Sequence, residues 1–365
     1  MENFNVLKNP KCALFEGCDF VVQLPEDRRE DVRILQLTDM QIIDATQRRR
    51  PERLRADELE AWDPANFDIQ CGNHIRSLVA QARPDLIIIT GDIVYGSFDD
   101  SGESLKWMCN LMDSFKIPWA PVFGNHDNES KMGVKWQCEL LESREYCLFK
   151  RGTVSGNGNY TVGIAMGEEL VRVIHMLDSN GCTDTSDPSV IRVRGIYEDQ
   201  LDLVRNNTAL IRKAQKRDVP AFTAFHIPVD SFVEAEMKKG YRRTADDTYI
   251  LGVDVEPKDK DFGFALEKYI PITSKVRYID FFKEVGIDGV FVGHAHSITF
   301  SISYEDIVWT FGLKTGQYDY HIPYQLGGTL ITLSGEDFDV KYLPSLVSPA
   351  IMPGRAPMFK GLLAE

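Results

Sequence analysis

Residues 34–44 read ILQLTDMQIID, an apolar run from Ile34 to Leu37 that closes on Thr38-Asp39, with Gln41 two positions further on. A short, nearly continuous apolar run suits a strand covered on both faces. A carboxylate just past its carboxyl end lies where open α/β sheets bind ligands. The same arrangement recurs four times. Residues 86–89 (LIII) precede Thr90-Gly91-Asp92, and 119–123 (WAPVF) precede Gly124-Asn125-His126-Asp127. Residues 221–225 (AFTAF) precede His226, and 289–292 (GVFV) precede Gly293-His294-Ala295-His296.

Helical periodicity fills the intervals. Leu105, Met108, Cys109, Met112 and Phe115 recur at steps of three and four, as do Leu201, Val204, Thr208 and Ile211, and Val276, Ile279, Phe282 and Val285. Each set gives one apolar helix face. Alternating helices and buried strands predict an α/β sandwich with the polar strand ends gathered on one side. The 365 residues are read as a single domain with its core at about 30–345, since length is only a soft prior on domain count. Residues 45–65, 151–195 and 229–274 are rich in Gly, Asn, Asp, Arg and Lys and are expected to be loop excursions over the site. From Tyr304 onward, IVWTFGL, TLITL and FDVKYL predict a closing antiparallel sheet.

Composition narrows the function classes. Hydrophobic residues make up 43% and charged residues 26%, and the formal net charge is −14. That balance fits a globular enzyme and argues against nucleic-acid binding, because the surface would repel a phosphate backbone. No apolar run reaches the length of a membrane span and no leader pattern opens the chain, so a cytoplasmic protein with no membrane partner is expected. The seven cysteines contain no C-x-x-C pair, which argues against a thiolate zinc site or a disulfide framework.

Four of the seven histidines (His126, His226, His294, His296) directly follow predicted core strands, in company with Asp39, Asp92 and Asn125. One such histidine is ordinarily structural; four with these carboxylates form a ligand set for hard or borderline ions. Two adjacent dications would need an anion between them, and Asp92, on the sharp Gly91 turn, suits that bridging place. His74 and His175 read as structural, and His321 as a residue of the pocket rim.

The ordered blocks Asp39, Gly91-Asp92, Gly124-Asn125-His126-Asp127, His226 and Gly293-His294-Ala295-His296 resemble the calcineurin-like metallophosphoesterases, over about residues 32–300. The resemblance implies a four-layer αββα sandwich of two mixed sheets flanked by helices. It also implies a two-metal phosphoester hydrolase, with one ion on Asp39, Asp92 and His296 and the other on Asp92, Asn125, His226 and His294. A metal-bridging hydroxide would then attack phosphorus in line, with His126 facing the substrate as donor and Asp127 orienting it.

The chain departs from the family's D-x-H at Gln41. On an extended segment residues 39 and 41 share a side, so the Gln41 amide oxygen is one candidate to complete the first metal site. Tyr95 is the other, since G-D-x-x-Y resembles the purple acid phosphatase branch, of intracellular type here, in which the tyrosine ligates ferric iron. Iron with zinc or manganese is implied if Tyr95 ligates, and manganese or zinc otherwise. The expected substrate is a small phosphomonoester. A phosphodiesterase or nuclease on the same core is the alternative, and a catalytically weak scaffold a further one. The basic runs Arg48–Arg55 and Lys238–Arg243 read as solvated faces, the second also as a lid beside the site.

Overall fold

A computed structural model describes residues 5–28, 30–44, 64–181, 194–239, 241–243, 249–251, 261–265, 267, 269–322 and 325–345. All five strands read from the sequence form. Numbered along the chain, they are β3 (Val32–Leu37), β4 (Leu86–Thr90), β5 (Trp119–Val122), β8 (Ala221–Ala224) and β12 (Ile287–Val292).

They divide between two mixed sheets. The smaller has the order β16 (Asp337–Pro344), β15 (Gly327–Ser334), β3, β4, β5, with β3–β4–β5 parallel and the hairpin antiparallel to β3. Pro121 sits within β5, an outer strand where a missing N–H is tolerated. The larger sheet runs β1 (Asn5–Lys8), β2 (Phe20–Leu24), β6 (Tyr160–Met166), β7 (Glu169–Met176), β8, β12, β14 (Ile307–Phe311), β13 (Ile298–Tyr304), β11 (Phe262–Ala265). Its centre, β7–β8–β12–β14, is parallel.

Strand alternation shows how the layers stack. Phe20, Val22 and Leu24 of β2 and Phe222 and Ala224 of β8 join one core cluster, which also holds the smaller sheet and helices α1 (Pro64–Ala82), α2 (Glu103–Ser114) and α3 (Gly133–Glu142). Val21 and Ala221, on the opposite faces, join a second cluster with α4 (Glu198–Gln215), α5 (Asp230–Lys238) and α6 (Tyr278–Glu284). The result is helices, sheet, sheet, helices, as the period-two pleat requires. Helix α4 starts where Gln200 Oε1 accepts the Tyr197 N–H at 2.8 Å, with Glu198 and Asp199 in its first turn and Arg212 and Lys213 in its last. Both charge placements favour the helix dipole.

Arg172 of β7 ties the two sheets. Its buried guanidinium donates to both carboxylate oxygens of Asp288 at 2.6 and 2.7 Å and to the Glu336 carbonyl. It lies 4.3 Å from the ring of Phe222 in the larger sheet and 5.4 Å from that of Phe338 in the smaller.

The expected loop excursions are corrected. Residues 151–195 contain β6 and β7, interior strands of the larger sheet. Gly163, Arg172 and His175 obscure their apolar pattern, yet a Cβ at Gly163 would meet Leu170 at 2.6 Å, and Arg172 and His175 are buried. Residues 229–274 contain α5, a short hairpin (Tyr241–Arg243 with Tyr249–Leu251) and the edge strand β11. Residues 45–63 lie outside the described residues, as do Arg48–Arg55. The core also begins before residue 30, since β1 and β2 belong to the larger sheet. The C-terminal strands split: IVWTF runs parallel to β12 in the larger sheet, whereas β15 and β16 extend the smaller one.

Candidate metal centre

Each candidate donor sits just beyond the carboxyl end of a parallel strand. Asp39, Asp92 and Asn125 follow β3, β4 and β5 of the smaller sheet; His226 follows β8, and His294 and His296 follow β12, of the larger. The turns are tight. Gly91 has φ +89°, and a Cβ there would stand 2.6 Å from His226 Nδ1; a Cβ at Gly124 would stand 2.2 Å from Asp92 Oδ1. Only glycine lets these backbones approach so closely.

The structure brings these side chains together. Asp39, Asp92 and His226 are buried, each with one ligand atom within 4.8 Å of the others. His226 Nε2 lies 3.4 Å from Asp92 Oδ2 and 3.2 Å from Asn125 Oδ1. Asn125 Oδ1 is also 2.9 Å from His294 Nδ1, and His296 Nε2 is 3.3 Å from Asp39 Oδ1. The remaining ring nitrogens of two histidines are fixed by main-chain carbonyls. His226 Nδ1 meets the Thr90 carbonyl at 2.8 Å and His296 Nδ1 the Tyr320 carbonyl at 2.9 Å, an arrangement that orients an imidazole toward an ion.

The donor set fits a cation. Asp39 Oδ1 is buried, 3.3 Å from His296 Nε2 and without a well-formed hydrogen bond among the described residues, so a metal shared with that imidazole would complete its contacts. Protonation follows the same logic. Burial raises the Asp39 carboxyl, but His296 and then His226 more than offset it, so it stays below the ordinary carboxylate range. Asp92 is likewise held low, with His226 and His126 outweighing burial. Burial lowers His226, yet Asp92 raises it to about 9, whereas burial and the neighbouring His226 push His294 down to about 3. Asn125, His126 and His294 are only partly buried and form the open side.

Three expectations change. Asp39 and Gln41 have φ +52° and +49°, so the first motif is left-handed at both positions rather than extended. The Gln41 amide oxygen is occupied by Lys314 Nζ at 2.7 Å, and its Nε2 faces Asp92 Oδ2 at 3.4 Å. Gln41 therefore presents an N–H to the cluster rather than a ligand oxygen. Asp127 does not orient His126. Its two oxygens accept the Val94 and Gly124 N–H groups at 2.9 and 2.7 Å, bracing the turns that carry Asp92 and Asn125. Burial and the Asp92 charge raise it to about 7. Glu129 takes the role given to Asp127, with Oε2 2.9 Å from His126 Nδ1.

Tyr95 is buried, its ring stacked 4.6 Å from that of His126 and 5.9 Å from Phe98, with Tyr318 edge-on at 5.1 Å. His74 Nδ1 meets the Thr315 carbonyl at 3.2 Å, and His175 lies within β7. His321 Nδ1 meets the Asp319 carbonyl at 3.1 Å, one residue from Tyr320, whose ring stacks 4.3 Å from that of His296. Lys239 is tied to Asp261 at 2.6 Å. Among the residues that sequence reasoning missed, Glu129 had a signal, the i, i+3 spacing from His126. Lys314 had none.

The calcineurin-like phosphoesterase profile matches residues 32–297. The chain is 28% identical over 182 residues to an Arabidopsis thaliana protein named probable inactive purple acid phosphatase 28, covering 44% of this chain and 46% of that one. It is 27% identical over 194 residues to phosphatase DCR2 of Saccharomyces cerevisiae, covering 50% and 33%. The chain thus spans about a third to about half the length of these relatives. A dimetal phosphatase from Danio rerio superposes with a TM-score of 0.47 at 12% identity, over 87% of this chain and 97% of that one. The profile covers most of the chain, and with the ordered blocks that converge on one site, it shows that the chain belongs to the calcineurin-like phosphoesterase family.

Proposed function

We propose that the chain is a binuclear metal-dependent phosphoester hydrolase acting on a small phosphomonoester. The observation that carries this reading is the convergence of Asp39, Asp92, Asn125, His226, His294 and His296, with Asp39 Oδ1 buried against His296 Nε2. Asp39, Asp92 and His296 would hold one ion, and Asp92, Asn125, His226 and His294 the other. When bound, such a pair supplies Lewis acidity, lowering the pKa of water and offsetting phosphoryl charge.

The chain's own residues do the rest. His126, on the open side, donates to a phosphoryl oxygen or to the leaving group, and Glu129 fixes its ring and favours the imidazolium. Asp127 keeps the Asp92 and Asn125 turns in register. Tyr95, three residues past Asp92 and against His126, is assigned as a phenolate donor to ferric iron, with zinc or manganese as the second ion; without that donor, manganese or zinc would fill both places. A cytoplasmic setting accords with the buried free thiols of Cys18, Cys71, Cys109, Cys138 and Cys147. No described helix is long and apolar enough to cross a membrane.

A diesterase reading has one specific support, a 29% identity over 119 residues to a Xenorhabdus bovienii protein named probable cyclic nucleotide phosphodiesterase. Turnover of an aryl phosphate against a bis-aryl phosphate, on manganese- and iron/zinc-loaded protein of measured metal content, decides between them. Faster diester cleavage would replace the monoesterase reading. Fewer than about one ion per chain with no hydrolysis of either would point to a scaffold, because the chemistry needs bound metal.

A further inference from the structure

Gln41 stands where the D-x-H pattern has a histidine, and Lys314 meets it. Lys314 follows β14 and is 2% exposed. Its Nζ donates to Gln41 Oε1 at 2.7 Å and to the Asp39 carbonyl at 2.9 Å. Its segment is pinned to the first motif, with Thr315 N on the Thr38 carbonyl at 2.9 Å and Gly316 N on the Asp39 carbonyl at 3.3 Å. The main chain that carries the lysine is thereby held against the backbone that carries Asp39. With its oxygen taken, the Gln41 amide turns its N–H toward Asp92, and an N–H aimed at that point opposes a cation.

We infer that Lys314 is a positioning residue that holds the Gln41 oxygen and so withholds Gln41 from the metals. In the manganese-loaded form, where no ferric ion engages Tyr95, the ion on Asp39 and His296 is consequently bound more loosely than its neighbour and exchanges with free divalent cation. The inference rests on the two-metal reading. Partners behind the direct ligands commonly change metal affinity by about 10- to 100-fold.

Manganese titration of the metal-stripped full chain by calorimetry tests it. Wild-type protein should show two classes of site, with dissociation constants separated by about tenfold or more. Lys314→Met should narrow that gap by about tenfold, since it frees the Gln41 oxygen. Gln41→Met should leave both constants within about threefold, because the amide is not a ligand. The double variant should narrow the gap less than Lys314→Met alone. An unchanged or wider gap in Lys314→Met, or about tenfold weaker binding in Gln41→Met, overturns the inference. Should Lys314→Met fail to fold, Gln41→Met decides alone. Failure of wild-type protein to take up manganese would remove the two-metal reading itself; normal uptake with unresponsive variants would remove only the role of Lys314.

Discussion

Glu129 Oε2 stands 2.9 Å from His126 Nδ1, at the far end of the short 3-10 turn Asp127–Glu129. A donor aimed at the phosphoryl group should be worth about 100-fold or more in rate, so His126→Ala is expected to lower kcat by at least that much while metal content stays unchanged. Glu129→Gln should cost less, about tenfold, because the amide still meets the ring but no longer favours its cation. Equal kcat in His126→Ala and wild type would remove His126 from the chemistry.

Asp92 is the carboxylate assigned to both ions. Asp92→Asn is expected to lose most bound metal in elemental analysis of the folded protein, whereas His296→Ala should lose one ion and keep the other. Full occupancy in Asp92→Asn would move the shared position elsewhere.

Iron-loaded protein is expected to be coloured, because a phenolate on ferric iron absorbs visible light, and Tyr95→Phe should abolish that band. The stacked ring of the phenylalanine keeps the support of His126. An identical spectrum in the variant would leave Tyr95 with packing alone.

Glu236 of α5 is buried, with the Tyr269 hydroxyl donating to it at 2.5 Å. Burial outweighs that bond and raises its carboxyl from an ordinary 4.5 to about 7. Between those two values the folded chain holds a proton that the unfolded chain has released. Stability therefore falls as pH rises from about 4.5 to about 7, by roughly 3 kcal/mol in total. Glu236→Gln should remove this loss, so the variant gains on wild type from pH 5 to pH 8 in denaturant melts. Parallel pH profiles would contradict the assignment.

Arg172 carries a buried charge shared with Asp288, whose side chain is 33% exposed. Arg172→Met is expected to destabilise the fold by about 2–3 kcal/mol, below the ~3–5 of a fully buried broken pair, because water reaches the abandoned carboxylate. A change under about 0.5 kcal/mol, the scatter of ordinary surface substitutions, would show that the Phe222 and Phe338 contacts suffice.

The parallel strands and their terminal donors were legible because both signals are local: a short, mostly apolar run, then a polar residue, which in three of the five places follows a glycine. Strands β6 and β7 were not, since the burial of Arg172 and His175 depends on partners as remote as Asp288 and Thr161. The same limit hid the role of Gln41. Its side chain is directed by Lys314, 273 residues away, and by a left-handed backbone that the letters DMQ do not announce. Asp127 was misassigned because adjacency to His126 suggested a contact, whereas its carboxyl is consumed by two backbone N–H groups.

The donors hang from different layers, Asp39, Asp92 and Asn125 from one sheet and His226, His294 and His296 from the other. An ion gripped from both sides acts as a rivet through the seam. Ligand binding to the folded chain alone adds about 2.7 kcal/mol at a concentration a hundredfold above Kd. Here that gain falls between the sheets, so chelation should be felt first as one slab loosening against the other.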